Sequence, residues 1–239
     1  MSSATARFQV RQIPVLLGGD PDALKDWAAR WETSRVLGYV AVIGAGAGLY
    51  GAAMGYWRSP DQAAYNLVKF PLLILTTGAG NALLNAMLAP LLGLDLGFRQ
   101  SFMLVLMSFT MAAAILGSFA PIMFFIIWNT PSLAAQTEIP WVTYNFVQLT
   151  QVIMIAFAGV VANVRLLRLL RALSGSDLIA RRVLFAWLAG NLFLGSQICW
   201  ILRPFIGSPG LPVEFLRANA FHGNFYETVF RAIGHLLSS

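Results

Sequence analysis

Charge is scarce in this 239-residue chain: Asp, Glu, Lys and Arg make up 11% of it, against roughly 25% in an ordinary soluble domain. A soluble surface cannot be covered with so few charges. Cysteine is rarer still. Cys199 stands alone, so no disulfide can close within the chain, and it reads as a small apolar core residue. Histidine occurs twice, at His222 and His235, and the apolar stretches contain no carboxylate. A metal site would need both histidines and Glu214 or Glu227 to converge without any H-E-x-x-H or Cys/His spacing, so a hydrogen-bonded surface histidine is the default. No Ser/His/Asp order stands out and no phosphate-loop lysine follows a glycine loop, so no catalytic, cofactor-binding or metal-ligating residue is assigned.

The charges that are present cluster and leave long gaps. No Asp, Glu, Lys or Arg occurs between Arg35 and Arg58, Lys69 and Asp95, Arg99 and Glu138, Glu138 and Arg165, or Arg182 and Arg203. A hydrocarbon core about 30 Å thick needs roughly 20 apolar helical residues to cross it. The pattern predicts an all-α transmembrane bundle of five spans, over about 36–57, 70–94, 101–128, 141–172 and 179–203. In the third gap, Pro121 and the polar run Asn129 to Thr137 limit the helix to one crossing, followed by a loop. In the second, Thr76, Thr77, Gly78, Gly80, Asn81 and Pro90 leave a re-entrant hairpin as an alternative. Three regions follow: an N-terminal arm (1–34), the five-helix domain (35–205) and a C-terminal cap with a surface helix (206–239).

Glycine is what the chain has in abundance. VAVIGAGAGLYG places Gly46, Gly48 and Gly51 at the G-x-G-x-x-G spacing of a dinucleotide loop. That fold requires an acid about 20 positions on for the ribose hydroxyls, and none occurs from Gln62 to Leu94. The motif is also continuous with a charge-free stretch of membrane-spanning length. Gly44 with Gly48 and Gly51 with Gly55 then read as small-xxx-small pairs that admit a close helix neighbour, in this chain or in another subunit. No cofactor is expected.

In the arm, Asp20 and Pro21 resemble an N-cap and first helical residue, with Leu24, Trp27, Ala28 and Trp31 on one face. This suits an amphipathic helix lying in the headgroup region or packed on a partner. Met1 to Asp20 holds only the short apolar run Ile13 to Leu17, so insertion is expected to rely on the first span. The loop after the fourth span carries Arg165, Arg168, Arg171, Arg181 and Arg182 against Asp177 alone, and Ser174-Gly175-Ser176 predicts a reversal at Gly175. With the N-terminus inside, eleven basic residues lie inside and five outside, so the positive-inside rule predicts a cytoplasmic N-terminus and an external C-terminus. Those arginines are topology determinants that meet anionic lipid headgroups. Because the basic residues sit at membrane boundaries, the net charge of +6 does not point to nucleic acid.

After Leu202, the run Arg203-Pro204-Phe205-Ile206-Gly207-Ser208-Pro209-Gly210-Leu211-Pro212 is too rich in Pro and Gly to be helical and reads as a rigid cap on the fifth helix. From Gly223 the periodicity turns helical again, with Phe225, Val229, Ile233 and Leu236 on one face and Glu227, Arg231 and His235 on another. Cap residues are therefore Arg203, Pro204, Gly207, Pro209, Asn224 and Glu227. Within the spans, Asn81 and Asn85, and Asn145, Gln148, Thr150 and Gln151, are polar. Such groups act as interhelical hydrogen-bond glue, worth about 0.6 to 2 kcal/mol each. The alternative is a neutral polar path through Asn81, Asn85, Asn145, Gln148 and Gln151.

VKFPLLILTT (68–77), FRQSF (98–102), SFAPIMFF (118–125), LRPFIGSPGLP (202–212) and GNFYE (223–227) together resemble an uncharacterised family of bacterial five-span membrane proteins with a Yip1-like layout. The resemblance covers most of residues 65–237. It implies a helical bundle in the bacterial cytoplasmic membrane and supplies no activity to carry over. The expectation is a non-enzymatic membrane subunit that assembles with itself or with partner proteins; the runner-up is an oligomeric channel or small-solute transporter.

Overall fold

The computed structural model describes residues 31–131, 141–206 and 212–227, with the Trp141 side chain excepted. Five helices follow one another: α1 (Thr33–Tyr56), α2 (Pro60–Leu91), α3 (Phe98–Trp128), α4 (Trp141–Ser174) and α5 (Asp177–Leu202). Each is long and apolar enough to cross a membrane, and no strand occurs among the described residues. α1, α2 and α3 pack against one another in a triangle. α4 lies on α3, α5 lies on α2, and the last two helices touch each other.

α2 begins ten residues before the predicted boundary at residue 70. Ser59 is extended, its hydroxyl accepts the Gln62 N–H at 3.1 Å, Pro60 occupies the first turn and Asp61 follows, a strong helix start. Lys69 had marked the span's edge because it is charged, yet it lies inside the helix. No re-entrant break occurs: α2 runs unbroken through Gly78, Gly80 and Pro90, and the Thr76 hydroxyl bonds back to the Leu72 carbonyl at 2.7 Å. The α4–α5 corner turns at Gly175, whose φ of +64° favours glycine. Ser176 then caps α5.

The glycine face of α1 finds its neighbours inside the chain. A Cβ on Gly51 would stand 2.6 Å from the Asn66 carbonyl oxygen, one on Gly55 2.5 Å from that of Gln62, and one on Gly48 3.0 Å from that of Leu67. Leu67 O is the carbonyl that Pro71 deprives of a helical N–H, and the Pro71 ring also lies against Gly48. Gly44 differs from the expectation, since nothing lies within 4 Å of its Cβ position. Gly46, outside the two predicted pairs, makes a separate close contact, with Ala113 and Gly117 of α3. The spacing identified a contact surface, but the helical rotation turns Gly44 out of it.

The predicted N-terminal surface helix lies outside the described residues except for Trp31. Its ring is 6.0 Å from that of Phe102, with the Arg99 guanidinium also 6.0 Å away. Of the predicted C-terminal helix only the start, 225–227, is described; Val229, Arg231, Ile233, His235 and Leu236 lie outside.

Candidate functional site

The largest concentration of buried polar chemistry is on the first half of α2. Gln62, Asn66 and Lys69, at i, i+4 and i+7, share one helical face and are each fully buried. They hold the segment that leaves α5. The Gln62 amide nitrogen donates to the Pro204 carbonyl at 2.9 Å and to that of Phe205 at 3.1 Å, as well as to Asn66 Oδ1 at 3.0 Å. The Asn66 amide donates to the Phe205 carbonyl at 2.6 Å. Lys69 Nζ donates to the Pro204 carbonyl at 3.0 Å and the Glu214 carbonyl at 3.3 Å.

Aromatic rings complete the enclosure. Lys69 Nζ lies 5.1 Å from the Phe215 ring centroid and 5.8 Å from that of Tyr65, and these two rings meet edge to face at 5.6 Å. Phe205 in turn packs on Phe70, which touches Tyr50 of α1. The logic is one of matched donors and acceptors. Pro204 has a carbonyl but no N–H, and the irregular backbone that follows α5 needs donors for its carbonyls where water is excluded. Amide and ammonium hydrogens from one helical face supply those donors, and ring faces add a cation–π contribution. α1 adjoins this face through its glycines: a Cβ on Gly55 would stand 2.8 Å from Asn66 Nδ2, so the bare glycine leaves the amide room to reach the Phe205 carbonyl.

Sequence reasoning placed the cap on α5 and missed its partner. The signal present in the sequence is the Gln62/Asn66/Lys69 periodicity, which a rule that ends each span at a charge hides at Lys69. Of the predicted cap residues, Pro204 is held in this latch. Arg203 instead lies with its guanidinium 3.5 Å over the Trp200 ring and donates to the Trp200 carbonyl at 2.9 Å. The Asn224 side chain accepts the Glu227 N–H at 2.8 Å, so it caps the local turn. Gly207 and Pro209 lie outside the described residues.

The five residues of the predicted polar path do not form one row. Asn81 and Asn85 are fully buried, with Asn81 donating to the Trp187 carbonyl of α5 at 3.4 Å and abutting Gly190. Gln151 is buried on α4, where its backbone carbonyl accepts the Tyr50 hydroxyl at 3.4 Å. Asn145 is exposed and Gln148 half-buried. Two separate helix contacts thus share these residues, because α4 packs on α3 while α5 covers α2. The α2 row is longer than expected and includes Thr77. Thr77 Oγ1, Asn81 Oδ1, both Asn85 amide atoms and Trp187 Nε1 are buried without a protein partner.

In the basic corner, Asp177 bridges Arg171 and Arg181, the second at 2.7 Å. Asp177 thereby partly neutralises these two arginines. His222, Glu214 and Glu227 do not gather into a metal-holding group among the described residues, where no three His, Cys, Asp or Glu converge. No protein-family model, no curated protein and no solved structure matches the chain.

Proposed function

We propose that the protein is a non-enzymatic, multi-pass subunit of the bacterial cytoplasmic membrane that assembles with copies of itself or with partner membrane proteins, its N-terminus cytoplasmic and its C-terminus external. Gly46, Gly48, Gly51 and Gly55 of α1 are consumed within the chain and only Gly44 stays open, so the assembly surface is sought on another helix. The observation that carries the reading is the outward face of α4. Val142, Phe146, Leu149, Ile153, Phe157 and Val160 expose between 54% and 81% of their surface at spacings of three and four, which place them along one side of the helix. The exposed amide of Asn145 lies beside that row, and a Cβ on Gly159 would meet nothing within 4 Å. The exposed amide beside that row, and the open Gly159 at its edge towards Leu184 and Leu188 of α5, are ingredients of helix association in lipid, where packing and interhelical hydrogen bonds drive assembly. In mild detergent, light scattering should give a mass above that of one chain or a bound partner, and Gly159→Leu should shift it towards the monomer. A wild-type protein found only as a free monomer would overturn the reading.

A second reading rests on the α2–α5 seam. Thr77, Asn81 and Asn85 recur every four residues with unpaired polar atoms, and such groups in native structures call for water or a polar solute. Oligomeric channel or small-solute transport through this row predicts solute flux in liposomes that Asn85→Leu abolishes; tight liposomes refute it.

A further inference from the structure

A groove on the outer side of α5 is built in a way that neither reading uses. Asn191, Gly195, Cys199 and Arg203 fall every four residues along one row, and Phe225 forms the opposite wall of a cavity of about 490 Å³. That wall is fixed: the Tyr226 ring stacks on Phe193 at 5.6 Å, and its hydroxyl lies 2.9 Å from the Ser196 hydroxyl. From Asn191 to Arg203 the row rises about 18 Å at 1.5 Å per residue. Half of a hydrocarbon core about 30 Å thick is about 15 Å, so the groove runs from mid-bilayer to one interface.

The two ends differ in chemistry. The deep part is lined by Leu192, Gly195 and Cys199, whereas the mouth holds Arg203, whose guanidinium is held over the Trp200 ring with one N–H on the Trp200 carbonyl. The remaining N–H fork suits a phosphate, the anion that guanidinium geometry matches best. Burial, and then the neighbouring Arg217 charge, draw Arg203 below its ordinary value, so an anion placed there relieves repulsion between two cations.

The geometry points to a phospholipid site of one leaflet: an acyl chain along the α5 groove and the phosphate of an anionic headgroup on Arg203. It lies at the opposite end of α5 from the arginine corner around Asp177. It also bears on the latch, because Arg203 immediately precedes Pro204, whose carbonyl is held by Gln62 and Lys69. The site is independent of the assembly reading.

Cys199, the chain's one cysteine, reports on the groove without engineering. The full chain in nanodiscs of phosphatidylcholine, alone or mixed with phosphatidylglycerol, is treated with a membrane-permeant maleimide. Phosphatidylglycerol is expected to slow Cys199 alkylation several-fold. Arg203→Gln should remove the difference and weaken phosphatidylglycerol retention in native mass spectrometry about tenfold, whereas the double change Arg165→Gln/Arg168→Gln at the far end leaves both intact. Leu192→Trp, on the lipid-exposed side of the deep part, should lower retention with Arg203 unchanged. Equal alkylation rates in the two lipids for the wild type, or protection that survives Arg203→Gln, overturns the site. Inorganic phosphate producing the same protection in phosphatidylcholine discs overturns the lipid as occupant, as does protection that rises with protein density instead of lipid composition.

Discussion

Gly44 and Gly46 stand two residues apart on α1, and adding one methyl group is expected to destabilise at Gly46 but not at Gly44. At Gly46 the new Cβ would overlap the Ala113 carbonyl oxygen and lie 2.8 Å from the carbonyl carbon, both backbone atoms of α3. Neither can rotate aside, so α1 and α3 must part by a good fraction of an ångström. A gap of 0.5–1 Å forfeits a quarter to a half of each affected van der Waals contact, and overpacking of this kind costs about 1–3 kcal/mol. Gly117 lies against the same spot, where its own Cβ would come 2.8 Å from Gly46 Cα, so sliding the helices offers little escape. At Gly44 nothing lies within 4 Å. There the methyl group adds only helix propensity, up to about 1 kcal/mol in water and less in lipid, where the separated helices are already formed. Gly46→Ala should thus lose about 2 kcal/mol and Gly44→Ala stay within about 1 kcal/mol of wild type, neutral or stabilised. Denaturation in mixed micelles with rising fractions of sodium dodecyl sulfate, followed by tryptophan fluorescence, measures both. Equal stability of the two variants, or Gly44→Ala the weaker, would refute the α1–α3 packing described above.

The latch can be loosened without touching the bundle. Gln62→Leu with Lys69→Met removes five of the six hydrogen bonds that α2's polar face makes to or beside the cap, sparing the one from Asn66, and should render residues 203–217 several-fold more sensitive to protease while helicity by circular dichroism is unchanged. Unaltered cleavage would show that the segment is held by something else. Asp177→Ala should cost about 0.5–1 kcal/mol and the loss should shrink in high salt, because the Asp177 side chain is 52% exposed and its partners 41% and 67%; a salt-independent loss would refute an ionic role for Asp177. In a Cys199→Ala background, a cysteine at Ser208 should react with an impermeant thiol reagent from the external side of intact cells. Labelling only after lysis would reverse the proposed orientation.

Much of the architecture was legible because membrane solvation acts on single residues. Each charge-free gap contains most of a helix that the structure shows, and the missing ribose acid removed the dinucleotide reading of Gly46, Gly48 and Gly51 before any packing was known. The start of α2 was misplaced for the same reason: a rule that treats every charge as a boundary cannot see a lysine that leaves water by bonding to carbonyls 135 and 145 residues away. The local capping signal Ser59-Pro60-Asp61 was present and would have moved the boundary. The polar residues of the spans were recognised as a set. Their division between an α2–α5 contact and an α1–α4 contact depends on which helices are neighbours, which no periodicity encodes.

Composition and the spacing of charges by themselves determined that this chain forms five long apolar helices, since the transfer of charged and apolar groups between water and hydrocarbon is decided residue by residue. Only the tertiary structure decided what those helices do to one another. It turned Gly46 instead of Gly44 to a neighbour, brought α2's amide and ammonium groups to the proline-bearing segment, and set an arginine at the mouth of a groove on α5. Each of these depends on helix rotation and on contacts between residues far apart in sequence, and both are fixed by the packing of whole surfaces.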